Sequence, residues 1–380
     1  MKILYITNGD GYAGASYALE NIIACLKDRC DIEVVFPRKR GEFSASLEKK
    51  GIKCHHFRYC MYVCTENGSM IYRWMKNVYT ILTDIYGTYK LLKVIKTFQP
   101  DIIHTNVGPI DIGYRVAKKR KIPHVWHLRE YINKDFDMNP IPSFNHYIRK
   151  YADNINTCIT ITDGVKKHFG LNKNALTIYD GPLKGKPIND PQKGNYFLFV
   201  GRLQEAKGDI SLLQAFVQYV ERGGKFNLWY AGVASKERME ILEEFVTRHK
   251  IEDRVLFLGF RDDVNILMSK AQALFVPSRF EGFGFITAEA MYNHCLVVGR
   301  NTAGTKEQFD KGLEITGKEI GVRFNQNSEM VDRMFDVEYT DYSDLCNRAY
   351  QVVSTMYKAE INASKIEALY KSILNQNSKK

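Results

Sequence analysis

The chain reads as an α/β protein of two doubly wound domains, each built on a parallel sheet. Three observations predict this. A length of 380 residues exceeds one ordinary core, and two domains of about 150–200 residues are expected. Short apolar runs that end in glycine-bearing loops alternate with stretches of helical periodicity, the rhythm of βαβ units. That rhythm breaks once, at Asp180–Gly194 (DGPLKGKPINDPQKG), which is rich in Pro, Gly and Lys and has no period. The division that follows is an N-terminal domain over 1–180, a linker over 181–194, a C-terminal domain over 195–360 and a C-terminal helix over 361–380.

Composition narrows the class. Hydrophobic residues make up 45% and charged residues 26%, as in water-soluble globular proteins. No apolar run approaches the ~20 residues of a transmembrane helix. The apolar run at Met1–Thr7 is too short for a signal peptide, so a cytoplasmic chain is expected. The eight cysteines show no C-x-x-C pair and no disulfide framework. The net charge of +11 is all in one half: residues 1–190 carry 29 Lys and Arg against 18 Asp and Glu, and the rest balances. The two domains should therefore meet different partners.

The N-terminal domain opens with a strand at Lys2–Thr7, then Gly9, Gly11 and Gly14, then a helix through Ala18, Leu19, Ile22, Ile23 and Leu26. The spacing G-x-G-x-x-G after a strand is a formal dinucleotide fingerprint. Arg38-Lys39-Arg40 after the next strand, Ile32–Phe36, would suit a 2′-phosphate. An NADP-dependent oxidoreductase is therefore a competing function. Cys54-His55-His56, Cys60 and Cys64 lack the paired spacing of structural zinc, and neighbours on an extended chain face opposite ways. Ile71–Phe98 is the longest helical pattern. Ile71, Trp74, Met75, Val78, Ile81, Leu82, Ile85, Tyr89 and Leu92 form a stripe expected to face the core. Asp101–His104 is a strand, and the helix through Ile112–Lys119 ends in Lys118–Lys121, where cations complement the dipole.

Val125–Glu130 is a strand that runs into polar residues at its C-terminal end, where open α/β sheets carry site residues. His127, Arg129 and Glu130 are the candidates there. Arg129 and Glu130 would pair with each other or orient an acceptor. Asp135 and Asp137 form a D-x-D, and on an extended segment they would share a face and could hold a metal. The cations suited to an anion lie elsewhere, so no metal is expected. Asn156–Ile161 and Thr177–Tyr179 are further strands, and Thr162-Asp163 cap a short helix.

The C-terminal domain restarts with a strand at Tyr196–Val200 and the loop Gly201–Gly208 (GRLQEAKG) before a helix from Asp209. Arg202 and Lys207, in a glycine-flanked loop at a helix start, make an anion site. Strands follow at Leu228–Ala231 and Val255–Leu258. The most informative stretch is Ala273–Lys311. A buried strand, Ala273–Val276, ends at Pro277-Ser278. A loop carries Glu281, Gly282, Phe283 and Gly284, and a helix starts near Phe285. Glu281 then precedes the helix and Glu289 lies about one turn into it. The glycines let backbone N–H groups approach a ligand. Closing helices are expected over Tyr342–Tyr357 and Ala363–Leu374.

E-G-F-G-x-x-x-x-E after V-P-S resembles the donor-site motif of family-4 retaining glycosyltransferases of the GT-B fold. G-R-L-x-x-x-K-G resembles that family's diphosphate clamp, Ala303–Glu307 (AGTKE) its G-G-x-x-E loop with Ala for the first Gly, and Gly259-Phe260-Arg261 its base-binding turn. IPHVWHLREY resembles the strand whose histidine lies by the donor sugar, which places His127 there. The resemblance covers nearly all of the second domain and isolated stretches of the first. It implies two Rossmann-like domains with a cleft between them and a last helix that crosses back to the first. It implies transfer of a sugar from a nucleotide-diphosphate donor, UDP before GDP or dTDP, with retention of configuration. The donor sites implied are Gly14, Ala15, Gly201, Arg202, Lys207, Phe260, Arg261, Glu281, Gly282, Phe283, Gly284 and Glu289. Arg202 and Lys207 would stabilise the departing diphosphate, so neither metal nor cofactor is needed. Glu289 would bind the ribose, and Glu281 the donor sugar.

Two further functions compete with this one. A retaining glycosidase would use Glu281 and Glu289 as its pair of carboxylates, but would have no use for Arg202 and Lys207. A nucleotide-sugar binding protein without catalysis would keep those cations. The acceptor expected is a glycan or lipid-linked glycan in cell-surface polysaccharide synthesis, such as a capsule or exopolysaccharide. No nucleic-acid-binding signature appears. The basic first domain, with Tyr72, Trp74 and Tyr79 near Arg73 and Lys76, is expected to attach peripherally to an anionic membrane face.

Overall fold

The computed structural model describes residues 1–66, 68–171, 175–190 and 192–377. Pro191 of the expected linker and 378–380 of the expected last helix lie outside them. The chain divides into two compact units, Met1–Pro182 with Ala359–Lys380, and Leu183–Lys358.

Unit 1 runs β1 (Lys2–Ile6), α1 (Gly14–Leu26), β2 (Asp31–Phe36), α2 (Glu42–Lys49), β3 (Lys53–His56), β4 (Val63–Thr65), α3 (Met70–Phe98) and β5 (Ile102–Thr105). It continues with α4 (Asp111–Arg120), β6 (His124–Leu128), β7 (Met138–Pro140), α5 (Phe144–Tyr151), β8 (Asn156–Thr160), α6 (Asp163–His168) and β9 (Ala175–Thr177). Seven strands form a parallel sheet in the order β3-β2-β1-β5-β6-β8-β9, while β4 and β7 pair antiparallel apart from it. Side chains alternate across the sheet. Ile3 and Tyr5 enter one core with Leu19, Ile22 and Phe43. Leu4 and Ile6 enter the other with Leu91, Val94, Ile112 and Val116. Strand order reverses between β1 and β5, so the loops after those strands open the crevice in which such sheets bind ligands.

Unit 2 runs β10 (Tyr196–Val200), a single 3₁₀ turn at Glu205–Lys207, α7 (Asp209–Glu221), β11 (Asn227–Ala231), α8 (Lys236–Arg248), β12 (Val255–Phe257), α9 (Val264–Lys270) and β13 (Ala273–Val276). Then come α10 (Phe285–Tyr292), β14 (Leu296–Arg300), α11 (Ala303–Thr316), β15 (Val322–Phe324), α12 (Glu329–Tyr339) and α13 (Ser343–Met356). The sheet is parallel, ordered β12-β11-β10-β13-β14-β15. Its reversal lies between β10 and β13, the two strands that feed the Gly201–Gly208 and Pro277–Gly284 loops. The final helix, α14 (Ala359–Asn377), returns to unit 1. Ala363, Ile366 and Tyr370 pack there in the core of Ile3 and Ile22.

Three expectations need correction. The last strand of unit 1 lies at Ala175–Thr177, not Thr177–Tyr179. The segment expected as the interdomain linker makes hydrogen bonds to unit 2 from Leu183 onward. Leu183 N donates to the Tyr357 carbonyl (3.3 Å), Tyr292 Oη to the Gly185 carbonyl (2.8 Å) and Ile188 N to Asn293 Oδ1 (2.9 Å). The D-x-D is not extended: Asp135 Oδ2 accepts from Tyr131 N (2.8 Å), and Asp137 sits exposed in the left-handed region at φ 50°. Among the described residues no cluster of His, Cys, Asp and Glu could hold a metal.

The third correction concerns α3. Ser69 Oγ caps it by accepting from Tyr72 N, and its span matches the periodicity. Its apolar stripe, however, faces outward: Ile71 is 72% exposed, Trp74 66% and Leu82 62%. The buried face carries Thr80, Asp84, Gly87, Leu91, Val94 and Ile95. Small and polar residues are used because the helix lies close on the backbone of 58–60. A Cβ on Gly87 would stand 2.7 Å from the Arg58 carbonyl oxygen, and Asp84 Oδ1 accepts from Cys60 N (3.3 Å). Periodicity reveals that a face exists; it does not say which face is covered.

Burial of Asp84, with Asp111 adding to it and Arg115 opposing it, pushes its carboxyl from 3.8 up to about 7. The folded state then holds a proton that the unfolded chain releases near pH 4. This contribution to stability is complete below about pH 4 and is lost as pH rises through 7. The melting temperature measured from pH 5 to 8 should fall more steeply in the parent than in Asp84→Asn, and parallel curves would refute the assignment.

Candidate functional site

In unit 2 the site is assembled where strand order reverses. Gly201 leaves β10 at φ 136°, its N donating to the Ala231 carbonyl (3.0 Å). Gly208 ends the loop at φ 75°, and a Cβ there would stand 2.8 Å from Pro277. That close approach brings the loop after β10 onto the loop after β13. Lys207 Nζ meets Glu281 Oε1 at 2.7 Å, with both side chains half-buried. Arg202 is exposed and makes no ion pair among the described residues. It lines a shallow cavity with Glu205, Ser235 and Arg238.

The 281–284 loop is fixed from behind by α11. Gly304 N donates to the Glu281 carbonyl (2.9 Å), and Gln308 Nε2 to the carbonyls of Phe283 (2.7 Å) and Gly284 (3.0 Å). A Cβ on Gly304 would lie 2.3 Å from the Phe283 oxygen, so only glycine lets α11 come this near. Gly284 caps α10 at φ 89°, which leaves the N–H groups of the first turn directed at the loop. Glu289 lies one turn into α10. Its carboxylate has no hydrogen bond or ion pair among the described residues, and burial, opposed by Lys184, pushes it up to about 7. Ala303, where the resembled family has Gly, sits at φ 46°, a conformation that costs an alanine about 1–2 kcal/mol.

Phe260 follows Gly259 (φ 64°) and is 75% exposed, a free aromatic face beside the ends of β11 and β12. Arg261 is engaged locally by Asp263 through two hydrogen bonds (2.7 and 2.6 Å). Three contributors were not anticipated. Gln308 clamps the loop, and Asp209, fully buried at the start of α7, is held by Arg238 (Nε–Oδ2 2.9 Å). The third is the contact between Lys207 and Glu281 themselves, because sequence spacing carries no signal for a pair 74 residues apart.

In unit 1 the reversal between β1 and β5 is flanked by Gly14 and Ala15, which open α1. A Cβ on Gly14 would meet nothing within 4 Å, and the Ala15 carbonyl accepts from Asn106 Nδ2 (3.1 Å). Of the basic triplet Arg38–Arg40, Arg40 is paired with Glu48 (2.6 Å). His127 is the penultimate residue of β6, fully buried. Arg129 does not pair with Glu130. Its Nη1 meets Asp180 Oδ1 (2.5 Å) and its Nε donates to Asn106 (3.1 Å). Its Nη2 lies 3.2 Å from His127 Nδ1. Glu130 is half-buried, and burial together with Asp135 raises its carboxyl to about 8. His104 on β5, absent from the sequence candidates, bonds Tyr370 Oη through Nδ1 (2.6 Å), and its ring lies 5.3 Å from that of His127.

A guanidinium only donates. His127 Nδ1 therefore accepts, and the ring proton sits on Nε2, a buried atom with no partner among the described residues. Burial and the Arg129 charge hold His127 well below its ordinary range, so it is neutral at pH 7 and presents a single donor. Histidine ¹⁵N spectra should show His127 with a protonated Nε2 and a bare Nδ1 from pH 6 to 8, and Arg129→Met should release that tautomer. An imidazolium signal at pH 7 would overturn the reading.

Comparison with known proteins agrees with this geometry. Residues 184–334 match the family model described as glycosyl transferases group 1. The lipopolysaccharide core biosynthesis mannosyltransferase LpcC of Rhizobium leguminosarum bv. viciae is 26% identical over 183 residues, 47% of this chain and 51% of that one. The UDP-Gal:alpha-D-GlcNAc-diphosphoundecaprenol alpha-1,3-galactosyltransferase of Escherichia coli is 23% identical over 261 residues, 61% of this chain and 66% of that one. The alignments reach 62%, 51% and 63% of the first curated relatives, less than two thirds of their length. Among solved structures, Anabaena HepE in complex with UDP and glucose superposes with a TM-score of 0.78 at 19% identity, covering 98% of this chain and 100% of that one. The fold is GT-B.

Proposed function

From a chain whose residues 184–334 form a glycosyl transferases group 1 domain on a GT-B fold, we propose a glycosyltransferase that moves a sugar from a nucleoside-diphosphate donor to a glycan or lipid-linked glycan. The observation that carries the reading is the joining of Lys207 and Glu281 at the strand reversal of unit 2, with the exposed Arg202 in the loop of Lys207 and Glu289 on the helix that follows Glu281. Cations and a helix start suit a diphosphate. A carboxylate with unfilled acceptor sites suits the ribose hydroxyls. Phe260 suits a base face. Uridine is the first choice, since a fold neighbour holds UDP.

In the reaction the sugar–phosphate bond breaks and negative charge collects on the departing diphosphate. Arg202 and Lys207 meet that charge without a divalent metal or cofactor. Lys207 is already oriented by Glu281, so little reorganisation is needed when the diphosphate takes over as its partner. Glu281, released from Lys207, takes hydroxyls of the donor sugar together with the backbone of Phe283 and Gly284. Within unit 1, His127 offers a single neutral donor suited to a sugar oxygen, and the bare start of α1 at Gly14 and Ala15 suits a phosphate. Retention of anomeric configuration belongs to this proposal. So does an acceptor from cell-surface polysaccharide synthesis, met at the inner face of the cytoplasmic membrane. Among the described residues no helix is long and apolar enough to cross a membrane, so the attachment proposed is peripheral.

A thermal-shift panel of UDP, GDP, dTDP and NADP tests the donor class. UDP at 100 times its Kd should add about 2.7 kcal/mol of stability, and a response to NADP alone would sink the proposal. Arg202→Ala or Lys207→Ala should lower turnover by roughly 10²–10³ with chelator present. Glu281→Ala should damage transfer and leave UDP affinity intact or tighter, because it frees Lys207.

Glu289 gives a separate pH signature. Its carboxyl titrates near 7, and the ionised form is the better acceptor. UDP affinity should therefore rise between pH 6 and 8, and Glu289→Gln should bind more weakly at pH 8. The phosphate of UDP also titrates near 6, so the difference between parent and variant is the quantity that decides. No difference in slope would remove Glu289 from the ribose.

A further inference from the structure

The outward face of α3 is the feature that the proposed chemistry leaves unused. We propose that this face is a membrane-inserting surface that lies along an anionic bilayer, and that it is the element responsible for the peripheral attachment proposed above. On a helix advancing 100° per residue, the buried residues Thr80, Asp84, Gly87, Leu91, Val94 and Ile95 gather on one side. The exposed apolar residues gather on the opposite side, from Ile71 to Tyr89, along a stripe of roughly 27 Å. Ordinary surface helices reverse this arrangement.

The spacing of Ile71, Met75, Val78, Leu82, Ile85 and Tyr89 alternates four and three, which would also seat a second helix. The flanks decide between the occupants. A helix partner is selected by a narrow seam bordered by charges. Here the apolar arc is about 200° wide and is bordered by aromatic residues: Trp74 on one side, Tyr72, Tyr79 and Tyr86 on the other, all exposed. Amphipathic rings at the edges of an apolar strip are what a water–lipid boundary favours.

Charge points the same way. The only acid on α3 is Asp84, which is fully buried, while Arg73, Lys76, Lys90, Lys93 and Lys96 are all cationic. Lys93 and Lys96 stand on the outward face just beyond the stripe, and Lys93 lies 4.6 Å over the Tyr89 ring. A second copy docked α3 to α3 would offer these cations no acid on that helix. An anionic leaflet offers its headgroups, with the lysine stems snorkelling to reach them.

The test uses the full chain and vesicles of phosphatidylcholine with or without 30 mol% phosphatidylglycerol, a proportion of about one anionic lipid in three. Neither donor nor acceptor is present, so the outcome is independent of sugar transfer. The chain should co-sediment with the anionic vesicles. Its fluorescence should shift to the blue through Trp74, since Trp126 is already fully buried and Trp229, half-buried, is stacked on Tyr196 (3.9 Å) in unit 2, and the shift should vanish in Trp74→Phe. Leu82→Ser with Ile85→Ser should lower partitioning by roughly tenfold or more while leaving UDP-induced thermal stabilisation unchanged, which shows that the variant is folded. Three results would overturn the proposal. Equal binding by the serine variant would mean that charge alone holds the chain to lipid. Absence of binding to anionic vesicles would remove the membrane and leave transfer to a soluble acceptor standing. A dimer in solution that Leu82→Ser with Ile85→Ser dissociates would assign the face to a second copy.

Discussion

The contact between Gln308 and the carbonyls of Phe283 and Gly284 is the interaction on which the candidate site of unit 2 rests. A loop between a parallel strand and a helix has no ladder of its own, and its carbonyls must be satisfied from elsewhere. Gln308, buried on α11, satisfies two of them, and Gly304 fastens the carbonyl of Glu281. The carbonyls of Glu281, Phe283 and Gly284 are thereby fixed on α11, while the Glu281 carboxylate meets Lys207. Lys207 reaches the same loop from the loop after β10, because β10 and β13 are neighbours in the sheet although three helices and two strands separate them in sequence.

Much of this was legible from short-range chemistry. The strand at Ala273–Val276, the helix beginning at Phe285 and the 29-residue α3 follow from apolar period and capping. Lys207 and Glu281, which the structure joins, also stood out in the sequence as charges set among glycines beside helix starts. What the sequence could not yield was any fact settled by a distant partner. Arg129 was open to pairing with its neighbour Glu130; fifty-one residues on, Asp180 takes it instead. The segment after Asp180 has no period, yet its amides find acceptors at Asn293 and Tyr357. His104 gave no signal at all, because a histidine inside an apolar strand is most often a satisfied core residue.

Unit 1 shows how one buried cation can govern neighbours that carry no charge. Arg129 is nearly inaccessible and is balanced by Asp180. A charge held there in a medium of low polarity acts on both His104 and His127 and adds to their burial in keeping them neutral. The same guanidinium fixes which nitrogen of His127 is protonated. An isolated buried histidine could be base, acid or donor; beside Arg129 only the donor role survives. Tyr370, on the returning helix α14, reaches His104 through its hydroxyl, so the last element of the chain is joined to the first sheet at this pair of rings.

The reversal of α3 follows from the same accounting. A helix must lie within van der Waals reach of the 58–60 segment for Asp84 to meet the Cys60 amide, and only a face of small residues allows it. Thr80 and Gly87 supply that face, and the large apolar residues are left on the far side. Nothing about folding unit 1 requires them to be apolar there. Exposed apolar area of this extent is a liability in water, and a sequence that served stability alone would carry Lys, Glu or Gln at Trp74, Leu82 and Ile85. The same face lacks any acid. Apolarity, an aromatic border and exclusion of negative charge are three separate features, and folding accounts for none of them. A surface that spends its time against anionic lipid accounts for all three.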